Sequence, residues 1–300
     1  MKHAILGAGA VGGLMGTALA SLGEDVTVVV RPENLAGYPA CLTLERPQGS
    51  LSAPAKAVAA LTTPVDVLWI ATKTYQLQKA LEAVHSLPAC AVPMLNGVDH
   101  LEILHARFGR DRVVPATIVV EAEKIAPGRF LQRTTFVRLT LAAGGEPLLG
   151  GLIGQLSDRG FTGQFVQDER VLLWNKLCFL APLALVTSAS GLNKGEILDN
   201  PGWRRKLVSA IDEACAVARA GGAEIHQPRL KAIFDSLPPT LRTSMQKDFA
   251  AGRPLEVDAI TAPIIRGGER YGIDVSTTVE LVAAIRAKIA AHQALSLIEV

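Results

Sequence analysis

The sequence has few cysteines and histidines, and neither type is spaced as a metal or disulfide site. Four cysteines occur in 300 residues without a Cys-x-x-Cys pair, and the six histidines include no His-x-x-x-His pair. Structural zinc sites and disulfide-rich folds both depend on regular spacing of this kind. We therefore expect no bound metal, no disulfide framework and a reducing, cytoplasmic compartment. The cysteines are Cys41, Cys90, Cys178 and Cys215.

An excess of one charge and a long apolar run are also missing. Lys plus Arg number 30 against 28 Asp plus Glu, and no basic cluster is present, which argues against a nucleic-acid binder. The longest apolar run, Leu177 to Val186, contains Pro182 and is about half the length of a membrane helix, so we expect a buried helix. Glycines interrupt the N-terminal apolar stretch, unlike a signal peptide. The 300 residues, 49% of them hydrophobic, predict a soluble protein of two domains.

The most informative feature present is a glycine-rich turn near the N-terminus. The apolar run His3–Leu6 predicts a buried strand, an Ala- and Leu-rich helix follows, and Asp25–Val30 predicts a second strand at the distance of a βαβ unit. In this motif the first glycine allows the tight turn, the second lets a pyrophosphate approach the backbone, and the third lets the helix lie close to the strand. We therefore predict a dinucleotide site formed by Gly7, Ala8, Gly9, Ala10, Val11 and Gly12.

The residue at the end of the second predicted strand indicates which dinucleotide is bound. NAD-binding sites usually place Asp or Glu there, where it accepts a hydrogen bond from the ribose 2′-hydroxyl. This chain has Arg31, whose cation would pair with a 2′-phosphate. The pattern favours NADP (NADPH), although Glu33 leaves an NAD-type contact open.

The pattern along the chain changes near residue 167. Before it, apolar strands alternate with helices, as in a parallel sheet covered on both faces. We expect strands at 66–71, 89–95, 113–120, 129–133, 137–141 and 161–167, helices at 75–85 and 148–159 and around 101–108, and a less regular stretch around Pro39, Pro47 and Pro54. After it, we expect helices at 169–188, 202–220, 229–236, 240–250, 256–271 and 276–297, with breaks at glycines that include Gly191 and Gly195.

These patterns predict an α/β Rossmann-type dinucleotide-binding domain followed by an all-α domain. The predicted ranges are 1–167 for the NADP-binding domain and 168–300 for the helical substrate and catalytic domain. A cleft between two such domains is the expected place for a small-molecule substrate.

Short motifs along nearly the whole chain resemble the ketopantoate reductase (2-dehydropantoate 2-reductase) family. Each motif is short, but their order and spacing together are specific. They are Gly7–Gly13, Arg31, Ala71–Gln76, Leu95–Gly97, Trp174-x-Lys176, Ser244-Met245 and Leu255–Asp258. The resemblance implies a Rossmann domain joined to a helical one, and the NADPH-dependent reduction of 2-dehydropantoate to (R)-pantoate in pantothenate biosynthesis. A homodimer is a further expectation.

The resemblance also implies roles for particular residues. Arg31 and Lys73 would hold the 2′-phosphate, whereas Gln76 and Asn96 would contact the cofactor or the substrate. Lys176 would be the general acid, and Ser244 and Glu256 would line the substrate site.

The chemistry of reduction fits a lysine in this position. Hydride addition to a ketone leaves an alkoxide that must receive a proton, and an ammonium both stabilises that charge and supplies the proton. Lys176 is followed by apolar residues, so we expect partial desolvation to lower its pKa. Glu256 would position the lysine or bind a substrate hydroxyl, and Ser244 would bind the carboxylate.

The chain departs from the family pattern on the helix that carries Lys176. Ketopantoate-specific members have asparagines four and eight residues after the lysine, where this chain has Leu180 and Ala184. Thr187, further along the same helix, is a candidate for restoring one polar contact. An apolar face here favours an alternative, a D-2-hydroxy acid dehydrogenase acting on branched or aromatic 2-keto acids. A second alternative, of another class, is a non-catalytic NADP-binding sensor.

Overall fold

The structure is a computed structural model that describes the backbone of residues 1–298. It also describes their side chains, except those of residues 229, 231–233, 236 and 295–298. The chain divides into two compact units, one formed by residues 1–95 with 99–172 and the other by residues 96–98 with the chain from 173 onward. The predicted domain boundary at residue 167 stays a prediction, and the change from one unit to the other falls within a single long helix.

Within residues 1–298, twelve strands form three sheets, and all of them lie in the first unit. The strands are β1 (Lys2–Leu6), β2 (Asp25–Val29), β3 (Cys41–Glu45), β4 (Leu51–Pro54), β5 (Lys56–Val58), β6 (Val67–Ile70), β7 (Cys90–Pro93), β8 (Ala116–Val119), β9 (Ala122–Ala126), β10 (Arg129–Gln132), β11 (Val137–Ala142) and β12 (Phe161–Val166). The sheet orders are β5-β2-β1-β6-β7, β4-β3-β10-β9 and β12-β11-β8. The five-stranded sheet is entirely parallel, as the sequence predicts, whereas the two smaller sheets contain antiparallel pairs.

Five helices accompany these sheets in the first unit. They are α1 (Ala10–Ser21), α2 (Pro32–Leu35), α3 (Leu77–Leu81), α4 (His100–Phe108) and α5 (Glu146–Leu156). Successive residues of the central strands point to opposite faces of the parallel sheet. Ile5 joins a core with Leu14 of α1, whereas Leu6 joins a second core with Leu77 of α3 and Leu104 of α4. Burial on both faces explains why these strands are apolar throughout.

Two local expectations for the first unit are wrong. The stretch around Pro39, Pro47 and Pro54 is more regular than expected, because it contains β3 and β4. Leu42 and Leu44 of β3 are buried, the first two prolines lie outside β3, and Pro54 closes β4 at a sheet edge, where proline is tolerated.

The helix expected at 75–85 is also shorter than predicted. A 3₁₀ turn at Thr74–Gln76 leads into α3, which ends at Leu81. The backbone beyond it pairs with Leu61, whose N–H donates to Ala83 O at 2.8 Å and whose carbonyl accepts from His85 N at 2.9 Å. These hydrogen bonds use the groups that a longer helix would need.

The second unit is helical throughout its described part. Its helices are α6 (Glu169–Ser190, which begins in the first unit), α7 (Lys194–Asp199), α8 (Pro201–Ala220), α9 (Gln227–Ser236), α10 (Ser244–Ala250), α11 (Val257–Tyr271) and α12 (Ser276–Ile298). The break expected at Gly195 is wrong, because Asn193 and Glu196 form a reciprocal capping box that starts α7 there. The helix expected at 240–250 begins at Ser244, since Thr243 is its N-cap.

Helix α6 forms the centre of the second unit. By length and composition it is apolar enough to cross a membrane, but 67% of its most apolar window is buried inside the protein. Residues 181–189 are all buried, which confirms the expectation of a buried helix. The helix therefore has the burial of a core element.

Candidate active site

The glycine-rich turn after β1 has the backbone geometry that its sequence predicts. Gly7 has φ of 101°, a conformation that favours glycine, and a Cβ there would lie 2.7 Å from the carbonyl carbon of Ala71. A Cβ on Gly12 would lie 2.1 Å from the Gly7 oxygen. The first and third glycines are thus required by close backbone packing.

The second glycine of the motif is different, because no described atom lies within 4 Å of the position of a Cβ on Gly9. Gly9 is also the N-cap of α1, and within the described residues no side chain caps this helix end. Open space beside uncapped helix N–H groups suits the pyrophosphate of a dinucleotide. The turn Gly7–Gly12 therefore fits the predicted cofactor.

A fourth glycine in this turn region is needed for a reason that the sequence pattern did not reveal. A Cβ on Gly13 would lie 2.0 Å from a carbon of the Phe130 ring. Phe130 belongs to β10, which is more than 100 residues away along the chain. The contact forms only when the four-stranded sheet packs against α1. The Gly12-Gly13 pair is the one local feature of the sequence that could have indicated a close contact here.

The other predicted cofactor residues follow the carboxyl ends of neighbouring parallel strands. Arg31 follows β2, Lys73 follows β6, and β1, which lies between these two strands, is followed by Gly7. Arg31 is 77% exposed, and its guanidinium lies 3.3 Å from the carboxylate of Glu33. Ligands of open parallel sheets bind at this edge. Gln76 is exposed in the 3₁₀ turn just after Lys73.

Lys176 is half-buried in α6, directly before the core residues Leu177 and Cys178. Burial lowers the pKa of its ammonium group to about 8, and the negative charge of Glu256 opposes that shift. Glu256 is the residue before α11 and is buried, with 8% of its surface exposed. The structure thus brings together the two residues that were expected to be catalytic.

Asn96 belongs to the same group of side chains. Its Nδ2 donates a hydrogen bond to Glu256 Oε2 at 3.1 Å, across 160 residues of sequence. Gly97 has φ of 80°, and a Cβ there would lie 2.1 Å from the carbonyl oxygen of Ala259 in α11. Glycine at this turn therefore allows residues 96–98 to pack within the second unit.

Ser244 stands apart from this group. It is exposed at the start of α10, and within the described residues its hydroxyl forms no hydrogen bond to Lys176, Glu256 or Asn96. Thr187 does not supply the missing polar contact either, because it is fully buried. Its hydroxyl lies 2.9 Å from that of Thr243 and donates to Leu183 O at 2.8 Å.

The apolar substitutions on α6 are in keeping with this arrangement. Leu180 is half-buried, and Ala184 is 2% exposed within the apolar core of the second unit. Neither side chain can replace the hydrogen bonds of asparagine.

A half-buried lysine whose proton is exchangeable near neutral pH suits the reduction of a carbonyl group. Together with a turn that fits a dinucleotide, this feature is typical of the class to which the protein belongs. It is an NADP-dependent oxidoreductase acting on CH–OH groups.

Comparisons with known proteins define the family. The model of the family "Ketopantoate reductase PanE/ApbA" matches residues 3–145, and the model of "Ketopantoate reductase PanE/ApbA C terminal" matches residues 169–289. The 2-dehydropantoate 2-reductase of Caulobacter vibrioides is 31% identical over 297 residues, covering 95% of this chain and 98% of that protein. The chain belongs to the ketopantoate reductase family, which uses NADPH as its cofactor.

Solved structures confirm the fold. A 2-dehydropantoate 2-reductase from Geobacter metallireducens has a TM-score of 0.85 at 22% identity, covering 96% of this chain and 99% of that one. A D-mandelate dehydrogenase in ternary complex with NADH and anilino(oxo)acetate also has a TM-score of 0.85 at 22% identity, with coverages of 97% and 99%. Both likenesses agree with a Rossmann-type domain followed by an all-α domain.

Proposed function

We propose that this protein reduces 2-dehydropantoate to (R)-pantoate with NADPH and that Lys176 is the general acid. The observation that carries the proposal is the half-buried Lys176, the pKa of whose ammonium is lowered to about 8 beside Glu256. The activity named for the Caulobacter relative supports the choice of substrate.

When bound, NADPH supplies a hydride to the carbonyl carbon of the substrate. The ammonium of Lys176 donates a hydrogen bond to the ketone oxygen and stabilises the negative charge that develops there. The proton then moves from Nζ to that oxygen, which completes the hydroxyl group, and the lysine regains a proton from water. A pKa of about 8 leaves most of the lysine protonated at neutral pH and makes it a stronger acid than an ordinary lysine.

Glu256 and Asn96 help to keep Lys176 in its protonated form, which is the form that this step requires. The carboxylate of Glu256 favours the charged form of Lys176 and so limits the effect of burial on its pKa. The amide of Asn96 holds that carboxylate through the 3.1 Å hydrogen bond. We assign the substrate carboxylate to the hydroxyl of Ser244 and a further contact with substrate or cofactor to Asn96.

The cofactor would be held by residues of the first unit. Backbone N–H groups of the turn would bind the pyrophosphate, and cationic side chains would bind the 2′-phosphate. The residues assigned to the cofactor are Gly7, Ala8, Gly9, Ala10, Val11, Gly12, Arg31, Lys73, Gln76 and Asn96. In this proposal residues 1–167 form the NADP-binding domain and residues 168–300 the substrate domain.

The experiment that tests this proposal measures NADPH oxidation with 2-dehydropantoate. Lys176→Ala should lower kcat/KM by about 10²- to 10⁴-fold, because a general acid is lost, while the Kd of NADPH stays within about twofold. Lys288→Ala, at an exposed lysine of α12, is the matched control and should retain full activity. Full activity of Lys176→Ala would contradict the assignment.

The apolar Leu180 and Ala184 favour a second candidate, the reduction of a bulkier 2-keto acid to a D-2-hydroxy acid. A panel of 2-dehydropantoate, 2-ketoisovalerate, phenylpyruvate and benzoylformate separates the two candidates. Efficient turnover of 2-dehydropantoate supports the first, and turnover of only the bulkier acids supports the second. Tight NADPH binding without turnover of any of them would indicate a sensor.

Three wider assignments belong to the same proposal. The activity places the protein in pantothenate biosynthesis. A cytoplasmic location follows from the cysteine pattern, and all four thiols are unpaired in the described part of the chain. Light scattering of the purified protein will test the proposed homodimer, which predicts twice the 31.7 kDa mass of one chain.

A further inference from the structure

Helix α6 is enclosed by protein along most of its second half, but one short part of its surface stays open beside Lys176. Residues 177–178 and 181–189 are all buried. By contrast, Lys176, Phe179 and Leu180 are half-buried. Residues three and four positions apart are neighbours on a helix surface, so Phe179 and Leu180 both lie next to Lys176 on one face. The open surface of α6 beside the lysine is therefore apolar.

The ring of Phe179 is held in place by an aromatic contact with a second helix. Phe234 of α9 is 6% exposed, and its ring centroid lies 6.4 Å from that of Phe179, with 66° between the ring planes. This edge-to-face arrangement is a favoured one for two aromatic rings. Phe179 therefore presents a fixed apolar surface next to Lys176.

Lys194 of α7 in turn holds Phe234 at this place. Its ammonium lies 5.0 Å from the centroid of the Phe234 ring and donates hydrogen bonds to Asp235 O, at 3.2 Å, and to Leu237 O. These carbonyl groups lie at the C-terminal end of α9, where a cation is favourable. Lys194 is 3% exposed, and lysine is rarely buried without such partners. The lysine thus fixes the end of the helix that carries Phe234.

The chemistry of a 2-keto acid indicates which of its groups fits the apolar surface. The ketone carbon carries a carboxylate on one side and the side chain on the other. A carboxylate placed against Phe179 and Leu180 would lose water without gaining a hydrogen bond. An apolar side chain placed there would instead cover apolar surface, which is favourable. With the ketone oxygen at Lys176, the side chain is therefore the group that suits this surface.

We propose that Phe179, backed by Phe234, and Leu180 receive the side chain of the substrate, so that Phe179 is a further specificity-determining residue. The substrate class is a 2-keto acid with an apolar, branched carbon next to the ketone. 2-dehydropantoate has two methyl groups on that carbon, and 2-ketoisovalerate has the same two methyl groups without the terminal hydroxymethyl group. Apolar side chains form no hydrogen bond with a hydroxyl, so this surface accepts both acids. The proposal rests on the 2-keto acid reduction assigned above.

The test compares kcat/KM with NADPH for pyruvate, 2-ketoisovalerate and 2-dehydropantoate. The proteins are the wild type, Phe179→Ala and Phe179→Leu. Phe165→Ala is the matched control, because Phe165 is a half-buried phenylalanine of β12 in the first unit. The readout is the ratio of kcat/KM values for two acids on one protein, because that ratio does not depend on the fraction of folded enzyme.

The wild type should prefer 2-ketoisovalerate to pyruvate by about tenfold or more, because two further carbons are buried. It should use 2-dehydropantoate and 2-ketoisovalerate within about tenfold of each other. Phe179→Ala should lower the preference for 2-ketoisovalerate over pyruvate by about fivefold, because part of the apolar surface is lost. Phe179→Leu should lower it less, and Phe165→Ala should keep the wild-type preference.

Three results would overturn the role of Phe179 while leaving the proposed function intact. One is an unchanged preference in Phe179→Ala, and another is a wild type that uses pyruvate as well as the branched acids. The third is a wild type that uses 2-dehydropantoate but not 2-ketoisovalerate, because its terminal hydroxyl would then be the group that is recognised. A wild type that reduces none of the three acids with NADPH would overturn the role of Phe179 and the proposed function together.

Discussion

The glycine-rich turn of the first unit and the Lys176–Glu256–Asn96 group of the second are built in different ways. The turn uses consecutive residues, and its backbone geometry performs the function. The side-chain group comes from three separate segments, and the hydrogen bond between Asn96 and Glu256 joins residues 160 positions apart. A site made by local backbone geometry can be predicted from the sequence. A site assembled from distant segments depends on the packing of the whole unit and cannot be predicted in the same way.

The largest effect that we expect distinguishes a glycine of the turn that is needed for packing from one that is needed for cofactor binding. Gly12→Ala should destabilise the folded protein by about 1–3 kcal/mol, because its Cβ would clash with the Gly7 carbonyl oxygen. Gly9→Ala meets no described atom, so it should leave the thermal unfolding midpoint unchanged and weaken NADPH binding instead. Thermal unfolding and NADPH titration of both variants test this contrast. Equal stability losses would show that Gly9 is also a packing residue.

This contrast explains how far the sequence could predict the molecule. The central strands were predictable because each is apolar throughout, and the turn was predictable because its glycines have a fixed spacing. The early end of α3 was not, since it depends on the pairing of the backbone around Val84 with Leu61. Strands β3 and β4 were missed because the prolines around them resemble those of an irregular loop.

The candidate site shows the same division. The resemblance to a family named Lys176, Glu256 and Asn96, but only the structure shows that Asn96 reaches Glu256. The steric need for Gly97 beside Ala259 has no local sequence signal. It depends on segments that meet only after folding.

A smaller effect is expected from substitution of Thr187. This substitution tests whether the Thr187 hydroxyl of α6 contacts the substrate. Thr187→Val keeps the shape of the side chain and removes its hydroxyl, which bonds with Thr243 and Leu183 O. We expect a stability loss of about 1 kcal/mol with little change in KM for the keto acid. Thermal unfolding and steady-state kinetics measure the two effects. A large rise in KM at unchanged stability would instead place this hydroxyl against the substrate.

The smallest effect concerns His3, a buried histidine of the first unit. Burial lowers the pKa of its side chain, as it does for Lys176. His3 is fully buried, Trp69 Nε1 donates to its Nδ1 at 3.2 Å, and burial lowers its pKa despite the nearby carboxylate of Glu24. A histidine with a lowered folded-state pKa contributes stability above its unfolded pKa, about 6.5, which is lost as the pH falls. The thermal midpoint should therefore drop more steeply below that pH in the wild type than in His3→Gln.

His85→Gln is the control for this effect, because His85 is exposed in the same unit. Its pH dependence should match that of the wild type. If His3→Gln also matches the wild type, burial of His3 does not influence stability.

The central claim is that burial and Glu256 together set the proton affinity of Lys176 for catalysis. The most direct measurement is the pH dependence of kcat/KM for the wild type and Glu256→Gln. The wild-type value should fall above pH about 8, where Lys176 loses its proton. In Glu256→Gln this fall should move to lower pH, because the charge that favours the ammonium form is gone. A wild-type profile that stays flat to the ordinary lysine pKa of about 10.4, or a fall that does not move in Glu256→Gln, would contradict the account.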